Sequence, residues 1–475
     1  MLKLDDRALW GNEAADDEDP AVLNSYFVNQ SEWSDFFNER FTISIARARK
    51  GMGKSALLRQ CAYKVSRTNG PLVISIKGTD LVAQKNMVGT TATEYIHVWQ
   101  QRICSVINRH IGSEIGLAFN DNSITMVETA EISGYKGRNI VGMLVDRMRG
   151  KLGPLEITKL ESPDSKSLLG RYLKDKDVSI WLLVDDIDAT FNNTPEERIH
   201  LSTFFSAIRD VASNFKGICI RTSVRSDVWT TIKKYDEALD KVEQYIFDIN
   251  WSINQFASFF EERIKSYCIR IGKSCLVKEK KRSEVIGLVL EEVFPWGRGV
   301  AASYRVIHVY AGGRPRWAAQ LCKMAGSEQQ RVGSSTVIKF GHIKQILEEY
   351  GRFRLDDVSR EHKHQCDRIS EIVNAFGRQR IKYSTEGLLR FIATTIIPTI
   401  KVEIDGISTS SAMVVAHFLY RIGFIHAVRF VDNIPEYYYF EDQPDLLKNY
   451  ANIDNKMSWM VHPAFHAALS LRYTR

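Results

Sequence analysis

The sequence predicts an α/β protein built on a parallel, doubly wound sheet, followed by an α-helical region and a terminal domain of helices and a hairpin. Three observations carry that expectation. Short apolar, β-branched runs alternate with helix-forming runs between residues 41 and 249, the pattern of a parallel sheet wound by helices. One strand-to-helix junction is glycine-rich, at Gly51 and Gly53. After Trp251 the apolar spacing becomes helical, and alternating runs return only near the end, at 424–430 and 436–440.

The chain has 475 residues, enough for about three domains. Hydrophobic residues make up 44% and charged residues 25%, which sets aside disordered, collagen-like and membrane classes. The net charge of +7, from 64 Lys+Arg against 57 Asp+Glu, permits a polyanionic partner without demonstrating one. Seven scattered cysteines (Cys61, Cys104, Cys219, Cys268, Cys275, Cys322, Cys366) contain no Cys-x-x-Cys pair, which argues against a disulfide framework or zinc ribbon and for a reducing cytosol. The first twenty residues carry Glu13, Asp16, Asp17, Glu18 and Asp19 and no apolar core of a secretory signal. No stretch approaches the ~18 apolar residues of a membrane span. The expectation is a cytoplasmic protein with no membrane partner.

The first predicted strand runs into the loop Ala48, Arg49, Lys50, Gly51, Met52, Gly53, Lys54, Ser55, with Ala56 opening a helix. This matches the phosphate-binding pattern G-x-x-x-x-G-K-[ST] except that Ala48 replaces the first glycine. Gly51 and Gly53 let backbone N–H groups curl around phosphates, and the helix start turns its positive end toward them. Lys54 would reach the β- and γ-phosphates of ATP, and Ser55 would give its hydroxyl to Mg²⁺. Arg47, Arg49, Lys50, Lys54 and Arg59 gather positive charge here.

Residues 178–184 are apolar enough for a strand buried on both faces, and Asp185 follows at the carboxyl end. Asp185 is assigned to the Mg²⁺ shell, the Walker B role; Asp186 is placed to polarise the attacking water; Asp188 would cap the next turn. Further strands are expected at 71–77, 217–225 and 244–249, with a helix at 196–213. The strand 217–225 ends in Thr222, Ser223 and Arg225. Arg225 would sense or neutralise the γ-phosphate, or else form a local ion pair.

The remainder divides as follows. Residues 1–40 form an N-terminal helical segment, whose stretch 24–37 would lie beside an adenine pocket. Residues 41–252 are the nucleotide-binding core, with a helix at 91–111 and an insertion at about 113–177. Residues 253–350 read as a helical lid, where Gly312 and Gly313 end one helix and Pro315 starts the next. Arg314, Pro315 and Arg316 would then meet phosphate, or form a plain helix corner. The basic run 278–282 reads as a solvated loop. Residues 351–475 place a helix, capped by Thr409 or Ser410, before a hairpin turning at 432–435, the plan of a winged helix. Its helix is apolar and its charge nearly balanced, so a packing or partner-binding winged helix is favoured over a DNA reader. A last helix would start at His462 and Pro463. His362, His364 and Cys366 lack the paired spacing of a zinc site.

With the phosphate loop, Asp185-Asp186 and the strand ending in Arg225 in order, the chain resembles P-loop ATPases of the additional-strand class. It is similar to the STAND and origin-recognition-type AAA+ groups, and to bacterial stand-alone P-loop ATPases found among phage-defence genes. The resemblance implies a sensor role for Arg225 and a lid sensor within 312–317. Ala48, the Asp-Asp pair and the insertion depart from the ring-forming pattern. The expected function is an ATP- and Mg²⁺-dependent molecular switch in which hydrolysis moves the lid and C-terminal domain toward a protein effector or self-association, in an antiphage setting. Two alternatives are a DNA-binding protein whose grip ATP controls, and a scaffold that holds nucleotide without turnover and recruits an effector.

Overall fold

The computed structural model describes residues 2–68, 70–82, 91–114, 164–175, 179–297, 299–333, 335–431, 434–440, 443–449 and 457–472. Most of the expected insertion therefore lies outside the described residues. The chain forms two units: Asn29–Arg49 with Lys54–Ile249, and Met1–Val28 with Lys50–Gly53 and Asn250–Arg475.

The first unit is built on five strands, β1 (Ile43–Ala48), β2 (Leu72–Lys77), β3 (Ile180–Asp185), β4 (Ile218–Arg225) and β5 (Ile246–Asp248). They pair in the order β2-β3-β4-β1-β5, every pair parallel. Each coincides with a run the sequence predicts as a strand. The strand ending in Asp185 does not pair with the one entering the glycine loop, because β4 lies between them.

Strand alternation divides side chains between two faces. Ile180, Leu182, Val184, Ile218, Ile220 and Val224 pack with Trp99, Ile103 and Ile107 of the helix Ala92–Glu114 and with Phe204, Phe205 and Ile208 of the helix Pro195–Asn214. That second helix is begun by Pro195 at its first position and by a Thr194–Glu197 capping box. The alternate positions include Arg221, which is 0% exposed. Arg221 has no carboxylate partner among the described residues; its Nε donates to Phe36 O at 2.6 Å and its Nη2 to Asn38 O at 2.8 Å, with the guanidinium 4.6 Å from the Trp181 ring. Backbone oxygens thus replace the water a buried cation would otherwise lose.

The second unit has its own core, shared by the helices Ile253–Arg270, Ser303–Tyr310, Pro315–Val332 and Phe340–His362 and by the N-terminal Leu9 and Trp10. The segment expected to be helical over 24–37 is split. Pro20–Tyr26 is an α-helix of this unit, whereas Ser31–Phe37 is a 3₁₀ stretch of the sheet unit. The expected all-helical lid also contains a small hairpin, β6 (Val293–Trp296) with β7 (Gly299–Ala302). Only Phe294 is fully buried in β6, so no alternation long enough to read exists there.

Toward the C-terminus stand β8 (Lys382–Ser384), the hairpin of β9 (Val402–Ile404) and β10 (Ile407–Thr409), then β11 (Ile425–Val431), β12 (Ile434–Tyr438) and β13 (Ser458–Val461). An antiparallel sheet in the order β12-β11-β13-β8 is joined by the helices Ile369–Asn374, Thr385–Phe391 and Ala412–Arg421. This is a winged-helix-like arrangement, and β11 and β12 are the expected hairpin. Two local expectations are corrected. Ser411 caps the helix Ala412–Arg421, because Thr409 already belongs to β10 and its hydroxyl accepts from the Ser411 N–H at 3.1 Å. His462 and Pro463 open a single 3₁₀ turn, Pro463–Phe465, rather than a long helix. All seven cysteines are free thiols. No helix among the described residues is long and apolar enough to cross a membrane.

Two histidines make stability depend on pH. The pKa of His200, whose ring lies 4.5 Å from Trp99, is pushed down to about 4 by burial and then by the nearby Arg102. That of His466 is also pushed down to about 4, by burial acting against its hydrogen bond to Val461 O. Both rings are neutral in the folded chain when their unfolded counterparts take protons near the ordinary 6.5. Stability is therefore fully present above that pH and is lost as pH falls toward 4. Urea midpoints recorded across this window are expected to fall, and His200→Gln and His466→Gln each to flatten the decline.

Candidate functional site

In the sheet unit the site begins where β1 ends. The Lys54 side chain, 9% exposed, folds back from the first turn of the helix Lys54–Val65. Its Nζ donates to Ala48 O at 3.0 Å and Arg49 O at 3.3 Å. Ser55 and Ala56 follow it in the same turn. At the carboxyl end of β3, Asp185 Oδ1 accepts from Ser223 Oγ at 2.5 Å and from the Asp186 N–H at 3.0 Å. Both bonds fall on one oxygen and orient the carboxylate. Asp186 itself has φ +54°, a left-handed conformation that Asp tolerates better than most residues.

Asp188 does not simply cap the next turn. Its carboxylate, 2% exposed, accepts the Arg225 backbone N–H at 2.7 Å and lies 3.3 Å from Arg225 Nε. Burial raises the Asp188 pKa, opposed by Arg225 and then Lys54. The local ion pair that the sequence offers as one reading of Arg225 is present here, with Asp188. Arg47 is likewise spent inside the fold. Parallel pairing sets it beside Asp248, which takes its Nε at 2.7 Å and Nη2 at 2.8 Å, while Glu243 takes Nη1 at 3.1 Å. Its charge therefore does not add to the positive cluster expected at the loop.

Lys50–Gly53 group with the helical unit, and there their peptide groups are held one by one. Gly51 and Gly53 have φ of +83° and +103°, which only glycine adopts without strain. The Lys50 N–H donates to Glu361 Oε1 at 3.2 Å, and Lys50 O accepts from Arg314 Nη1 at 3.3 Å. Gly51 O accepts the Arg316 N–H at 3.3 Å, and Met52 O accepts from Trp251 Nε1 at 2.9 Å. Arg314 and Glu361 pair at 2.8 Å with side chains 4% and 0% exposed. Arg314 also lies 4.3 Å from the Trp317 ring. Burial alone would raise the Glu361 pKa, yet Arg314 and then His362 hold it well below the usual carboxylate range. Pro315 occupies the first position of the helix Pro315–Val332, as its place after Gly312-Gly313 predicts.

The sequence reading missed Glu361 and Trp251. Glu361 is 311 positions from Lys50, and nothing in its local sequence marks it. His362 Nδ1 bonds Gln365 Oε1 at 2.9 Å, and no cluster of three or more metal-ligating side chains occurs among the described residues.

Removing one partner of a buried ion pair leaves the other charge uncompensated, which costs about 3 kcal/mol or more. Arg225→Ala is therefore expected to lower stability by about that amount in urea unfolding, and Arg225→Lys by less. Unchanged stability in Arg225→Ala would show that the pair with Asp188 carries none of it.

No protein-family model matches the chain, and no curated protein matches it in sequence. Among solved structures it is similar to the Walker-type ATPase PABY2304 of Pyrococcus abyssi, at 12% identity and TM-score 0.41 over 94% of this chain and 96% of that one. It is also similar to Cdc6p from Pyrobaculum aerophilum, at 11% identity and TM-score 0.37 over 98% and 97%, and to the ORC2 protein of Aeropyrum pernix in ADPNP–ADP complexes, at 10% identity and TM-score 0.40 over 90% and 86%.

Proposed function

We propose that the chain binds and hydrolyses ATP with Mg²⁺, using the loop Ala48–Ala56 for the phosphates. The observation that carries this reading is the loop itself. Two glycines in left-handed conformations join a parallel strand to a helix that starts with Lys54 and Ser55. This geometry supports an anion cradle of backbone N–H groups at a positive helix end.

The residues also fit a metal. Mg²⁺ keeps several waters and is held by one or two protein oxygens plus substrate phosphates. Ser55 and the oriented Asp185 would hold it, and it would neutralise charge on the phosphate oxygens. In this reading Lys54 exchanges its carbonyl partners for phosphate, and Asp186 orients the attacking water. Arg225, at the end of β4 and paired with Asp188, would sense or neutralise the γ-phosphate.

The lid at 253–350 and the winged-helix-like domain at 351–475 are proposed as the output of this switch. The helix Ala412–Arg421 buries Met413, Val415, Ala416, Phe418, Leu419 and Tyr420, and Arg421 Nη1 is taken by Asp405 at 3.0 Å. The buried side chains pack into the domain's own core, so the choice of a protein partner over DNA rests on the nearly balanced charge of residues 351–475. The antiphage setting extends the reading on sequence resemblance alone.

The test is ATP binding and phosphate release by the purified chain, with and without duplex DNA. Lys54→Ala is expected to lose nucleotide binding, whereas Asp186→Asn is expected to bind and lose turnover. Unchanged ATP affinity in Lys54→Ala would overturn the assignment. Phosphate release stimulated by DNA would favour the DNA-binding alternative, and binding without release would favour the scaffold.

A further inference from the structure

A loop that receives phosphates on its amides must place its carbonyl oxygens elsewhere, because a carbonyl lone pair facing a phosphate repels it and a buried one needs a donor. Lys50, Gly51 and Met52 supply three successive carbonyls, and each has its own donor: Arg314 Nη1, the Arg316 N–H and Trp251 Nε1. Two of the donors are side chains chosen by the sequence. Their cost is highest at Arg314, a buried guanidinium whose charge needs a partner.

Glu361 meets that need and does one thing more. Its Oε2 takes Arg314 Nη1 at 2.8 Å, while its Oε1 accepts the Lys50 N–H at 3.2 Å. The carboxylate thus fixes both ends of the Lys50 residue, its N–H directly and its carbonyl through Arg314. An amide occupied by a carboxylate is not offered to another anion, so the phosphate-facing run starts at Gly51. The left-handed Gly51 and Gly53 turn the chain within that run.

We infer that Glu361 and Arg314, which the sequence does not mark as a pair, are positioning residues for nucleotide binding: together with the Trp251 indole they hold the loop carbonyls outward so that the amides from Gly51 onward face the phosphates. They act through the loop rather than on the nucleotide. The inference rests on the ATP-binding reading above.

The experiment uses the full-length chain with a fluorescent ATP analogue and Mg²⁺, hydrogen exchange at the peptide containing Lys50, and thermal unfolding. Glu361→Gln removes the charge, and Trp251→Phe removes one donor while keeping a ring against Phe259, 6.1 Å away in the native chain. Asp405→Asn is the control, since it weakens another largely buried pair of the same unit, Asp405 with Arg421. A hydrogen bond to a charged group contributes about 1.5–3 kcal/mol, so Glu361→Gln is expected to raise Kd about tenfold or more and to speed exchange at Lys50. Trp251→Phe is expected to raise Kd as well, and it decides the matter if Glu361→Gln does not fold. Asp405→Asn is expected to lower the unfolding temperature and leave both loop readouts alone. A folded Glu361→Gln or Trp251→Phe protein with native Kd overturns the inference, as does an Asp405→Asn protein that loosens the loop equally. A wild-type chain that binds no analogue overturns the ATP-binding reading itself, and is told apart by that control.

Discussion

Every buried peptide group needs a partner, and in the glycine-rich loop those partners come from far along the chain. A loop shaped to take an anion on its N–H groups makes no ladder or helix with its own carbonyls. In the sheet unit the Lys54 ammonium satisfies Ala48 and Arg49. In the helical unit Arg314, Arg316 and Trp251 satisfy Lys50, Gly51 and Met52. A buried guanidinium is an expensive donor, and that is why an equally buried carboxylate, Glu361, stands beside it.

The same logic of satisfied charge explains the carboxyl edge of the sheet. Three aspartates follow one another within four positions, and each is handled differently. Asp185 is oriented by the Ser223 hydroxyl and a backbone N–H, both on one carboxylate oxygen. Asp188 is buried and neutralised by Arg225. Between them Asp186 takes a left-handed conformation. Chemistry proposed for this edge depends on that division.

Local patterns were readable wherever the interaction that shapes an element lies within it. The five strands of the sheet, the helix Ala92–Glu114, the Gly312-Gly313 and Pro315 corner, and the β11–β12 hairpin all follow from apolar period and turn chemistry. Misreadings fall where two adjacent signals compete. Thr409, Ser410 and Ser411 are all capping residues, and pairing of Thr409 in β10 decides among them. Within 24–37, aromatic content predicts a helix, but the chain breaks near Phe27 and its two halves serve different units.

By itself, the sequence determined the α/β class, the strand-loop-helix at Ala48–Ser55, the strand delivering Asp185 and the terminal winged-helix plan, because period, glycine placement and caps are local physics. Tertiary structure alone decided what the charges do. Arg47 went to Asp248, Arg225 to Asp188, and Arg314 to Glu361. Parallel pairing brought the first pair into register, and helix packing brought Glu361 to Lys50 across 311 positions. A charged side chain selects its partner by proximity in the folded chain, and no spacing in the sequence encodes that distance.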